Sequence, residues 1–239
     1  MRRLANTPEL LDGPLDDLAT LAGNLRDMGR VNARLGGTRL SRRAIEAVLG
    51  EARAAGAGGP VALLDVGTGG ADIPVALLAG FARDGRPLRV TGVDRAEVIA
   101  AARAIRPDLD ALPRLSLEVA DGRTLPYDDR TFDVGHSSLV LHHLEPPDAV
   151  RFLTEMARVS RRGVVVNDLV RGRLAWIAAR LLAPLVTRNR YSRYDGPLSV
   201  RRAYSVVEIQ AMLAIAGLRP VATIRHPLRY RVAVAAVRA

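Results

Sequence analysis

The segment Val61-Ala62-Leu63-Leu64-Asp65-Val66-Gly67-Thr68-Gly69-Gly70-Ala71-Asp72 indicates the architecture of the whole chain. Its first six residues form a mainly apolar run of the kind that makes a buried parallel strand. The glycines that follow predict a tight turn into a helix, and Pro74 suits the first turn of that helix. Such a turn lets a ligand approach the backbone and the helix N-terminus. The segment therefore predicts a ligand site at the end of the strand.

Strand and helix patterns alternate after this segment. Further strands are predicted over residues 88–93, 115–119, 132–137 and 163–167, and helices over 73–81, 96–105, 147–159 and 206–217. This alternation predicts βαβ units in a doubly wound, mostly parallel α/β sheet. Residues 221–226 and 230–237 predict a closing hairpin, whose two strands must be antiparallel.

The other segments predict caps on a single domain, for which 239 residues are an ordinary length. Residues 8–25 and 31–49 are expected to be helical, residues 174–186 form an apolar helix, and residues 56–60 predict a linker. We divide the chain into an N-terminal helical cap (1–55), a cofactor-binding half (60–170), a basic and aromatic cap insertion (171–204) and a closing helix with its hairpin (205–239).

Composition excludes several classes of protein. Hydrophobic residues are 49% of the chain and charged residues 25%, which indicates a globular protein. The lack of cysteine excludes disulfide scaffolds, zinc–thiolate sites and a cysteine nucleophile, and no metal site is predicted. Arg2 and Arg3 are not followed by the apolar run of a signal peptide, and residues 174–186 are too few to span a bilayer. We therefore expect a cytoplasmic location.

The formal net charge is +10, and every basic residue is an arginine. Complete use of arginine in place of lysine is typical of a codon bias, so the net charge is weak support for nucleic-acid binding. The charge is uneven, because residues 171–202 contain eight arginines and one acid, Asp195. This basic segment requires a local explanation.

Acids end three successive strand segments: Asp65, Asp94 and Asp121. Parallel sheets bind ligands at this edge. Asp94 suits the ribose hydroxyls of an adenosine, and Asp121 suits an adenine amino group. Asp72 stands where a dinucleotide fingerprint has its last glycine and would repel a pyrophosphate, while a phosphate-binding Walker loop needs a lysine. The set indicates a cationic adenosine ligand, although each acid alone also fits a helix cap or a structural strand end.

With these motifs the chain resembles the class I S-adenosylmethionine-dependent methyltransferases. Residues 63–74 resemble motif I, with Ala71 in place of its last glycine, and residues 121–127, 132–134 and 142–144 resemble segments around the third and fourth strands. The likeness covers about residues 60–170 and is greatest to small-molecule enzymes of quinone biosynthesis and polyketide tailoring. It implies a Rossmann-like, seven-stranded sheet in the order 3-2-1-4-5-7-6 with strand 7 antiparallel, and S-adenosyl-L-methionine as cofactor.

The resemblance also implies which residues contact the cofactor. They belong to the glycine loop, to the end of the second strand and to the segments after the third and fourth strands: Asp65, Gly67, Thr68, Gly69, Gly70, Asp94, Arg95, Asp121, Gly122, Ser137 and Ser138. For Asp65, a structural role in organising the loop is an equal alternative.

Methyl transfer from a sulfonium is an in-line displacement, and a hydroxyl acceptor must also lose a proton. His142 and His143 follow the fourth strand, where the methyl group should lie. We predict one of them as the general base and favour His143, with packing or capping as the alternative for both. His136 is expected in the core. Asn167 and Asp168 end the fifth strand and are expected to hold the acceptor or to orient a histidine.

Residues 171–204 are predicted to cover the acceptor pocket together with the N-terminal helices. Aromatic side chains there suit stacking on an aromatic acceptor, and arginines suit an anionic one. The candidates are Asn167, Trp176, Tyr191, Tyr194, Arg190, Arg193, Arg201 and Arg202. The predicted function is methyl transfer to a hydroxyl or ring carbon of a phenolic, quinone-like or polyketide small molecule. A solvated basic face is the alternative, and a lipidic acceptor would bring peripheral membrane contact.

Three other functions fit parts of the sequence. RNA methylation would use the basic segment 171–202, but Ser137-Ser138-Leu139-Val140 stands where amino-methylating enzymes carry Asn/Asp-Pro-Pro-aromatic. A non-catalytic scaffold would be expected to lose its glycines or its strand-end acid. A nicotinamide oxidoreductase conflicts with Asp72 and with the lack of a Tyr-x-x-x-Lys pair. RNA methylation remains the main alternative, although no nucleic-acid partner is expected.

Overall fold

The computed structural model describes residues 1–54 and 59–239. Seven strands in these ranges form one sheet: β1 (Val61–Val66), β2 (Leu88–Asp94), β3 (Leu115–Val119), β4 (Phe132–Ser138), β5 (Ser160–Leu169), β6 (Leu218–Arg225) and β7 (Arg231–Arg238). The α-helices are α1 (Leu18–Arg34), α2 (Gly37–Ala54), α3 (Asp72–Arg83), α4 (Ala96–Ile105), α5 (Pro146–Val159), α6 (Arg173–Val186), α7 (Arg190–Arg202) and α8 (Val206–Ile215). The predicted linker at 56–60 lies mostly outside the described residues.

The strands lie in the order β3-β2-β1-β4-β5-β7-β6. Strands β1 to β5 pair in parallel, and β7 is antiparallel to both β5 and β6. Helices α3, α4 and α5 supply crossover connections that parallel neighbours require. The observed order confirms the predicted Rossmann-like, doubly wound sheet. It also places the reversal of strand order between β1 and β4, where sheets of this kind bind ligands.

Apolar side chains cover both faces of the sheet. One buried cluster packs α5 and α8 on the face that includes Leu64 and Val66, and a second packs α2 and α3 on the face that includes Leu63. Successive residues of a strand point to opposite faces, so both sets of side chains must be apolar. Burial on both faces explains why the parallel strands read as continuous apolar runs.

Residues 1–17 form an extended strap, here called the N-terminal strap, with one short 3-10 turn at Leu10–Asp12. The prediction of a helix from residue 8 is therefore wrong in its first half. Gly13 and Pro14 interrupt the pattern, and α1 begins only after Asp17, whose side chain accepts a hydrogen bond from the Thr20 N–H at 2.9 Å. The helix predicted over 31–49 is divided, since α1 ends at Arg34 and α2 begins at Gly37.

The cap insertion consists of α6 and α7. Helix α6 matches the predicted apolar helix, whereas α7 runs through Gly196-Pro197 and begins at Asn189, whose side chain accepts from the Tyr191 and Ser192 N–H groups. Among the residues that the structure describes, no helix combines the length and the hydropathy needed to cross a membrane.

Candidate active site

A cavity of about 1770 Å³ lies at the carboxyl ends of the parallel strands. Its wall includes Asp65, Asp94, Ser138 and Leu169 from four strand ends, and it continues along the N-terminal strap, α1, α6 and α7. The volume exceeds the roughly 300–1,000 Å³ of an ordinary small-molecule pocket. The cavity therefore has room for two ligands side by side.

The glycine loop between β1 and α3 forms one side of this cavity. Gly67 has φ +76° and Gly69 has φ +55°, the left-handed region that favours glycine. A Cβ atom on Gly67 would overlap the Val140 side chain, so the loop has no room for a larger residue there. The loop consequently presents bare backbone to the cavity.

Asp65, near the end of β1, stabilises the glycine loop by a hydrogen bond. Its Oδ2 accepts a hydrogen bond from the Thr68 hydroxyl at 2.9 Å, and its Oδ1 lies 2.5 Å from Nδ1 of His136. Nε2 of His136 lies 2.8 Å from the Ser41 hydroxyl, and the histidine is fully buried, as predicted. The carboxylate thus has a loop-organising role through both oxygens, while it also borders the cavity.

Asp94 ends β2 beside the same loop. Its Oδ2 accepts from the Gly69 N–H at 2.9 Å and its Oδ1 from the Arg95 N–H at 2.8 Å. Burial raises the pKa of Asp94 above its usual value. The Arg95 guanidinium donates to the Leu11 carbonyl at 2.7 Å and ties the N-terminal strap to this edge.

The structure brings most of the predicted cofactor residues to the cavity wall: Asp65, Gly67, Thr68, Gly69, Gly70, Asp94, Arg95, Asp121, Gly122 and Ser138. Asp121 is half-exposed and pairs with Arg123, with 2.9 Å between Oδ2 and Nη2. Ser137 is not in the wall, because it is buried in β4 and neighbouring strand residues point to opposite faces. Ser138 faces the cavity and accepts a 2.6 Å hydrogen bond from Arg231.

His142 lies in the cavity wall and forms a buried pair with Asp168. Nδ1 of His142 lies 2.6 Å from Asp168 Oδ1, and the His142 backbone N–H donates to Oδ2 at 3.0 Å. Burial alone would raise the pKa of Asp168, but the charge of His142 and its hydrogen bonds outweigh this effect and lower that pKa. An ionised carboxylate only accepts hydrogen bonds, so Nδ1 carries a proton, and in the neutral imidazole Nε2 then has a free lone pair.

The N-terminal strap brings Glu9 to this pair, a residue that the sequence did not indicate. Glu9 is buried, and its Oε1 lies 3.9 Å from His142 Nε2 with no hydrogen-bond partner among the described residues. Its Oε2 accepts from the Ser199 hydroxyl at 2.7 Å. Burial raises the pKa of Glu9 to about 7.

His143 faces the strap from the other side. Its Nδ1 lies 2.6 Å from Asp12 Oδ1, and Asp12 also accepts a hydrogen bond from Arg202. Burial would raise the pKa of Asp12, but its hydrogen bond to His143 and the charge of that ring lower it well below the usual range. Nδ1 of each ring is thus bound to a carboxylate, that of His143 to Asp12 in the strap and that of His142 to Asp168 in β5.

Glu9, His142 and His143 each offer one atom within 4.8 Å of the others, a spacing that suits a metal ion. Arg202 stands beside the same carboxylate, with its Nε 3.8 Å from Glu9 Oε1. A fixed positive charge at this distance opposes a bound cation. Acid–base chemistry suits this group better than metal binding.

Of the predicted acceptor residues, the structure brings Arg202 alone to the cavity wall. Asn167 is buried, and its Nδ2 donates hydrogen bonds to the Ser41 hydroxyl at 2.7 Å and to the Gly37 carbonyl at 2.9 Å. Tyr191 packs on α1 and α4, because the helical path of α7 turns it inward. The remaining candidates also lie outside the wall: Trp176, Tyr194, Arg190, Arg193 and Arg201. Arg202 lies in the wall but is occupied by Asp12.

A second set that the sequence did not indicate links β7 to the glycine loop. Arg231 is fully buried and donates to Asn167 Oδ1 at 2.7 Å, Asn32 Oδ1 at 2.7 Å and Ser138 Oγ at 2.6 Å. Asn32 in turn donates to Asp72 Oδ2 at 3.0 Å. Burial lowers the pKa of Arg231, whose three acceptors are all neutral. The Asn32 amide thus lies between the Asp72 carboxylate and the Arg231 guanidinium, and both of these charged groups border the cavity.

These charges fit S-adenosylmethionine, which carries a sulfonium, an ammonium and a carboxylate. Among the carboxylates that border the cavity, those of Asp65, Asp72, Asp94 and Asp121 lie at or just after the strand ends and suit the two cationic groups. Arg231 suits the carboxylate. The bare backbone at Gly67 allows close approach, while the carboxylates make the loop hostile to a pyrophosphate.

The comparisons with known proteins agree with this site. Residues 64–166 match the family model described as a methyltransferase domain. A 27-O-demethylrifamycin SV methyltransferase of Amycolatopsis mediterranei (strain S699) is 35% identical over 165 residues, which are 66% of this chain and 54% of that enzyme.

Two solved structures share the fold. The mitomycin 7-O-methyltransferase MmcR has a TM-score of 0.67 and 20% identity over 98% of this chain and 62% of its own. Human N-acetylserotonin methyltransferase, in complex with S-adenosylmethionine, has a TM-score of 0.64 and 15% identity over 96% of this chain and 61% of its own. The chain thus spans between half and two thirds of the length of these relatives.

The fold and site together define a nucleoside-binding α/β protein with acids at the ends of its strands. The matched methyltransferase domain, the 35% identical relative and the shared fold together support a class I S-adenosylmethionine-dependent methyltransferase of the small-molecule type, with S-adenosyl-L-methionine as cofactor.

Proposed function

We propose that the protein transfers a methyl group from S-adenosylmethionine to a hydroxyl or ring carbon of a phenolic, quinone-like or polyketide small molecule. The observation that carries this proposal is the His142–Asp168 pair, with 2.6 Å between Nδ1 and Oδ1, because His142 lies in the same cavity wall as the glycine loop. When bound, S-adenosylmethionine supplies a sulfonium methyl group, whose bond to sulfur breaks as the bond to the acceptor forms, leaving neutral S-adenosylhomocysteine.

In this proposal His142 takes the acceptor proton on Nε2. Asp168 fixes the tautomer and stabilises the imidazolium that forms, as a buried carboxylate does for a catalytic histidine. A phenol has a pKa of about 10 and a histidine about 6.5, so proton transfer accompanies formation of the new bond rather than preceding it. His142 is favoured over His143, because Asp168 also accepts from the His142 backbone N–H and so fixes this residue twice, whereas the carboxylate on His143, Asp12, is shared with Arg202.

We assign the two ends of the cofactor to the two polar groups beside the loop. Asp94 would accept from the ribose hydroxyls, since each of its oxygens retains a lone pair beyond the backbone hydrogen bond that it accepts. Asp72 would face the ammonium and Arg231 the carboxylate of the amino-acid end, with Asn32 between them. These residues bind and orient the cofactor, and His142 handles the proton.

The acceptor is proposed to be apolar and sizeable. The side of the cavity formed by α6 carries Leu174, Leu182 and Val186 with four alanines, Ala175, Ala178, Ala179 and Ala183. Hydrophobic contacts therefore supply most of the acceptor binding. The Amycolatopsis relative is named for 27-O-demethylrifamycin SV and MmcR for a 7-O position, and both names favour transfer to oxygen.

RNA is the less favoured substrate. Several arginines of the basic segment 171–202 bind within the chain: Arg171 pairs with Glu208 at 3.0 Å, Arg202 pairs with Asp12, and Arg193 donates to the Pro184 carbonyl at 2.9 Å. Arginines held in this way are poorly placed to neutralise phosphates. We propose a small-molecule acceptor and no nucleic-acid partner.

The test is an acceptor screen with methyl-deuterated S-adenosylmethionine. The panel contains alkyl phenols, alkyl hydroquinones, aromatic polyketides and total RNA, and mass spectrometry detects the transferred label. We expect label on a phenolic or quinol compound and none on RNA. Label on RNA alone, or on no small molecule despite tight binding of S-adenosylhomocysteine, would contradict the proposed acceptor class.

A further inference from the structure

Helix α6 carries large apolar side chains into solvent. None of its 14 residues is buried, and Leu174, Ile177, Leu181 and Leu185 follow one another at spacings of three, four and four residues. This spacing places them along one side of the helix. Leu174 is 83% exposed and Leu185 80% exposed. A continuous apolar stripe of this size marks an interaction surface.

The exposed apolar residues also surround the mouth of the cavity. Of the exposed large apolar residues that border the cavity, we call five, from three separate elements, the apolar rim: Leu35 after α1, Leu174, Leu182 and Val186 on α6, and Leu228 in the turn between β6 and β7. Elements far apart in sequence thus present apolar side chains around one opening. The opening itself is suited to an apolar surface.

The exposed charged residues nearest to the apolar rim along the chain are arginines. Exposed arginines stand beside it at Arg34, Arg173, Arg180, Arg188 and Arg229. Residues 172–194 contain no acidic residue. An apolar patch flanked by cations is complementary to an anionic lipid surface, where side chains enter the acyl boundary and arginines meet headgroup phosphates.

We propose that the apolar rim docks on an anionic membrane surface, so that a lipid-soluble acceptor enters the cavity directly from the bilayer. The docking stands on the surface alone, while the entry of the acceptor rests on the proposed function. A second copy of the chain fits this surface less well, because its own arginines would face those of the first. A nucleic acid would satisfy the arginines but leave the apolar rim exposed.

The test is co-sedimentation of the full chain with two kinds of vesicle, phosphatidylcholine alone and phosphatidylcholine mixed with phosphatidylglycerol. The rim variant carries Leu174→Glu and Leu228→Glu. Its matched control carries Val207→Glu and Ile215→Glu, two α8 positions that are 75% and 71% exposed and lie outside the cavity wall. A charge variant carries Arg173→Gln and Arg229→Gln. Calorimetry with S-adenosylhomocysteine reports the fold of each variant and tests the cofactor site separately.

We expect the wild-type chain and the control to bind the anionic vesicles, with weaker binding in high salt. The rim variant should lose at least about tenfold in affinity, and the charge variant should lose a similar amount only on anionic vesicles. Equal binding by the rim variant and the control would overturn the proposal, and so would the absence of vesicle binding by the wild type. A dimer that the rim substitutions dissociate, without vesicle binding, would assign the surface to a second copy. Vesicle binding without S-adenosylhomocysteine binding would contradict the proposed function and leave the docking intact.

Discussion

Three histidines differ in their surroundings, and these surroundings indicate which of them have a structural role and which can take part in the chemistry. His136 is enclosed between Asp65 and Ser41, so both ring nitrogens are used to hold the loop. His143 is tied to Asp12 in the strap. His142 differs from His143 in the carboxylate that orients it, because Asp168 is buried and also accepts from the His142 backbone N–H, whereas Asp12 also accepts from Arg202. We therefore propose His142 as the general base.

Replacing His142 by glutamine removes the proton acceptor. We expect kcat for a phenolic acceptor to fall by about 10²–10⁴, the usual contribution of a general base, while the affinity for S-adenosylhomocysteine stays unchanged. The rising limb of the pH–rate profile should also disappear. His226→Gln, in the turn between β6 and β7, is the control. A His142→Gln enzyme with wild-type kcat would exclude this residue as the base.

Glu9 makes stability depend on pH. Its pKa is raised by burial from 4.5 to about 7, so between these values the unfolded chain releases a proton that the folded chain keeps. The free energy of unfolding therefore falls as pH rises through this window. Glu9→Gln removes the titration, and the variant should gain up to about 3 kcal/mol relative to wild type across the window. Urea unfolding of both proteins at about pH 5 and about pH 8 measures this, and an unchanged difference between them would contradict the assignment.

Arg231 joins stability to cofactor recognition. Arg231→Met leaves the oxygens of Asn32, Asn167 and Ser138 without this donor, and each unpaired buried acceptor costs about 1–3 kcal/mol. We expect a lower melting temperature and at least a tenfold loss of S-adenosylhomocysteine affinity, estimated from a charge-assisted hydrogen bond of about 1.5–3 kcal/mol. Binding of 5′-methylthioadenosine, which lacks the amino-acid end, should change little.

The control for this substitution is Arg219→Met at an exposed position of β6. Wild-type protein tests the same assignment without any substitution, because a decarboxylated analogue of the cofactor should bind less tightly than the parent molecule. Equal affinity for the two would exclude Arg231 as the carboxylate-binding residue.

At the scale of elements, the sequence predicts what local patterns determine. Strand β1 and helix α4 end where expected, because apolar periodicity and the following glycine or proline specify those ends. The sequence does not predict the N-terminal strap, because Leu10, Leu11 and Leu15 have a spacing typical of a helix. Gly13 and Pro14 prevent a helix from forming there. The sequence does not predict helix α7, because Gly196-Pro197 is typical of a turn. Contacts with the N-terminal strap stabilise the helix; for example, Asp195 accepts a hydrogen bond from the Leu10 N–H at 2.8 Å.

The candidate site divides in the same way. The glycine loop and Asp94 are visible in sequence because they follow strands directly. Glu9, Asn32 and Arg231 could not be predicted, because their partners lie far away along the chain: Arg231 and Asn32 are 199 residues apart. Trp176 and Tyr191 were plausible by composition, but helix orientation turns them away from the cavity. Composition identifies the segment, and only packing selects its residues.

The glycine loop provides a prediction with a matched control. Gly67 and Gly217 have nearly the same backbone conformation, with φ +76° and +75°, but only at Gly67 would a Cβ atom meet another side chain, that of Val140. Gly217→Ala should cost about 1–2 kcal/mol for its left-handed conformation and keep S-adenosylhomocysteine binding. Gly67→Ala should cost more and weaken binding. Denaturant unfolding and calorimetry check both, and equal effects at the two positions would contradict a role of close packing in the loop.

At the scale of the whole molecule, the sheet order gathers residues that are distant in sequence. The reversal between β1 and β4 opens a crevice at the carboxyl edge, and the strap, α1 and α6 enclose it. The net charge of +10 is distributed unequally, with the carboxylates of Asp65, Asp72, Asp94 and Asp121 on the cavity wall and exposed arginines near its mouth. A cationic cofactor inside and an anionic surface outside are both compatible with this arrangement.

The most direct test of the cofactor site is calorimetric titration of S-adenosylhomocysteine into wild-type protein and the Asp94→Ala variant. We predict micromolar binding by the wild type and a loss of at least about tenfold in the variant, since hydrogen bonds to a charged group contribute about 1.5–3 kcal/mol each. Asp108→Ala, an exposed aspartate outside the cavity wall, should bind as the wild type does. Absence of binding by the wild type, or equal affinity in the Asp94→Ala variant, would contradict the assignment of this edge of the sheet to S-adenosylmethionine.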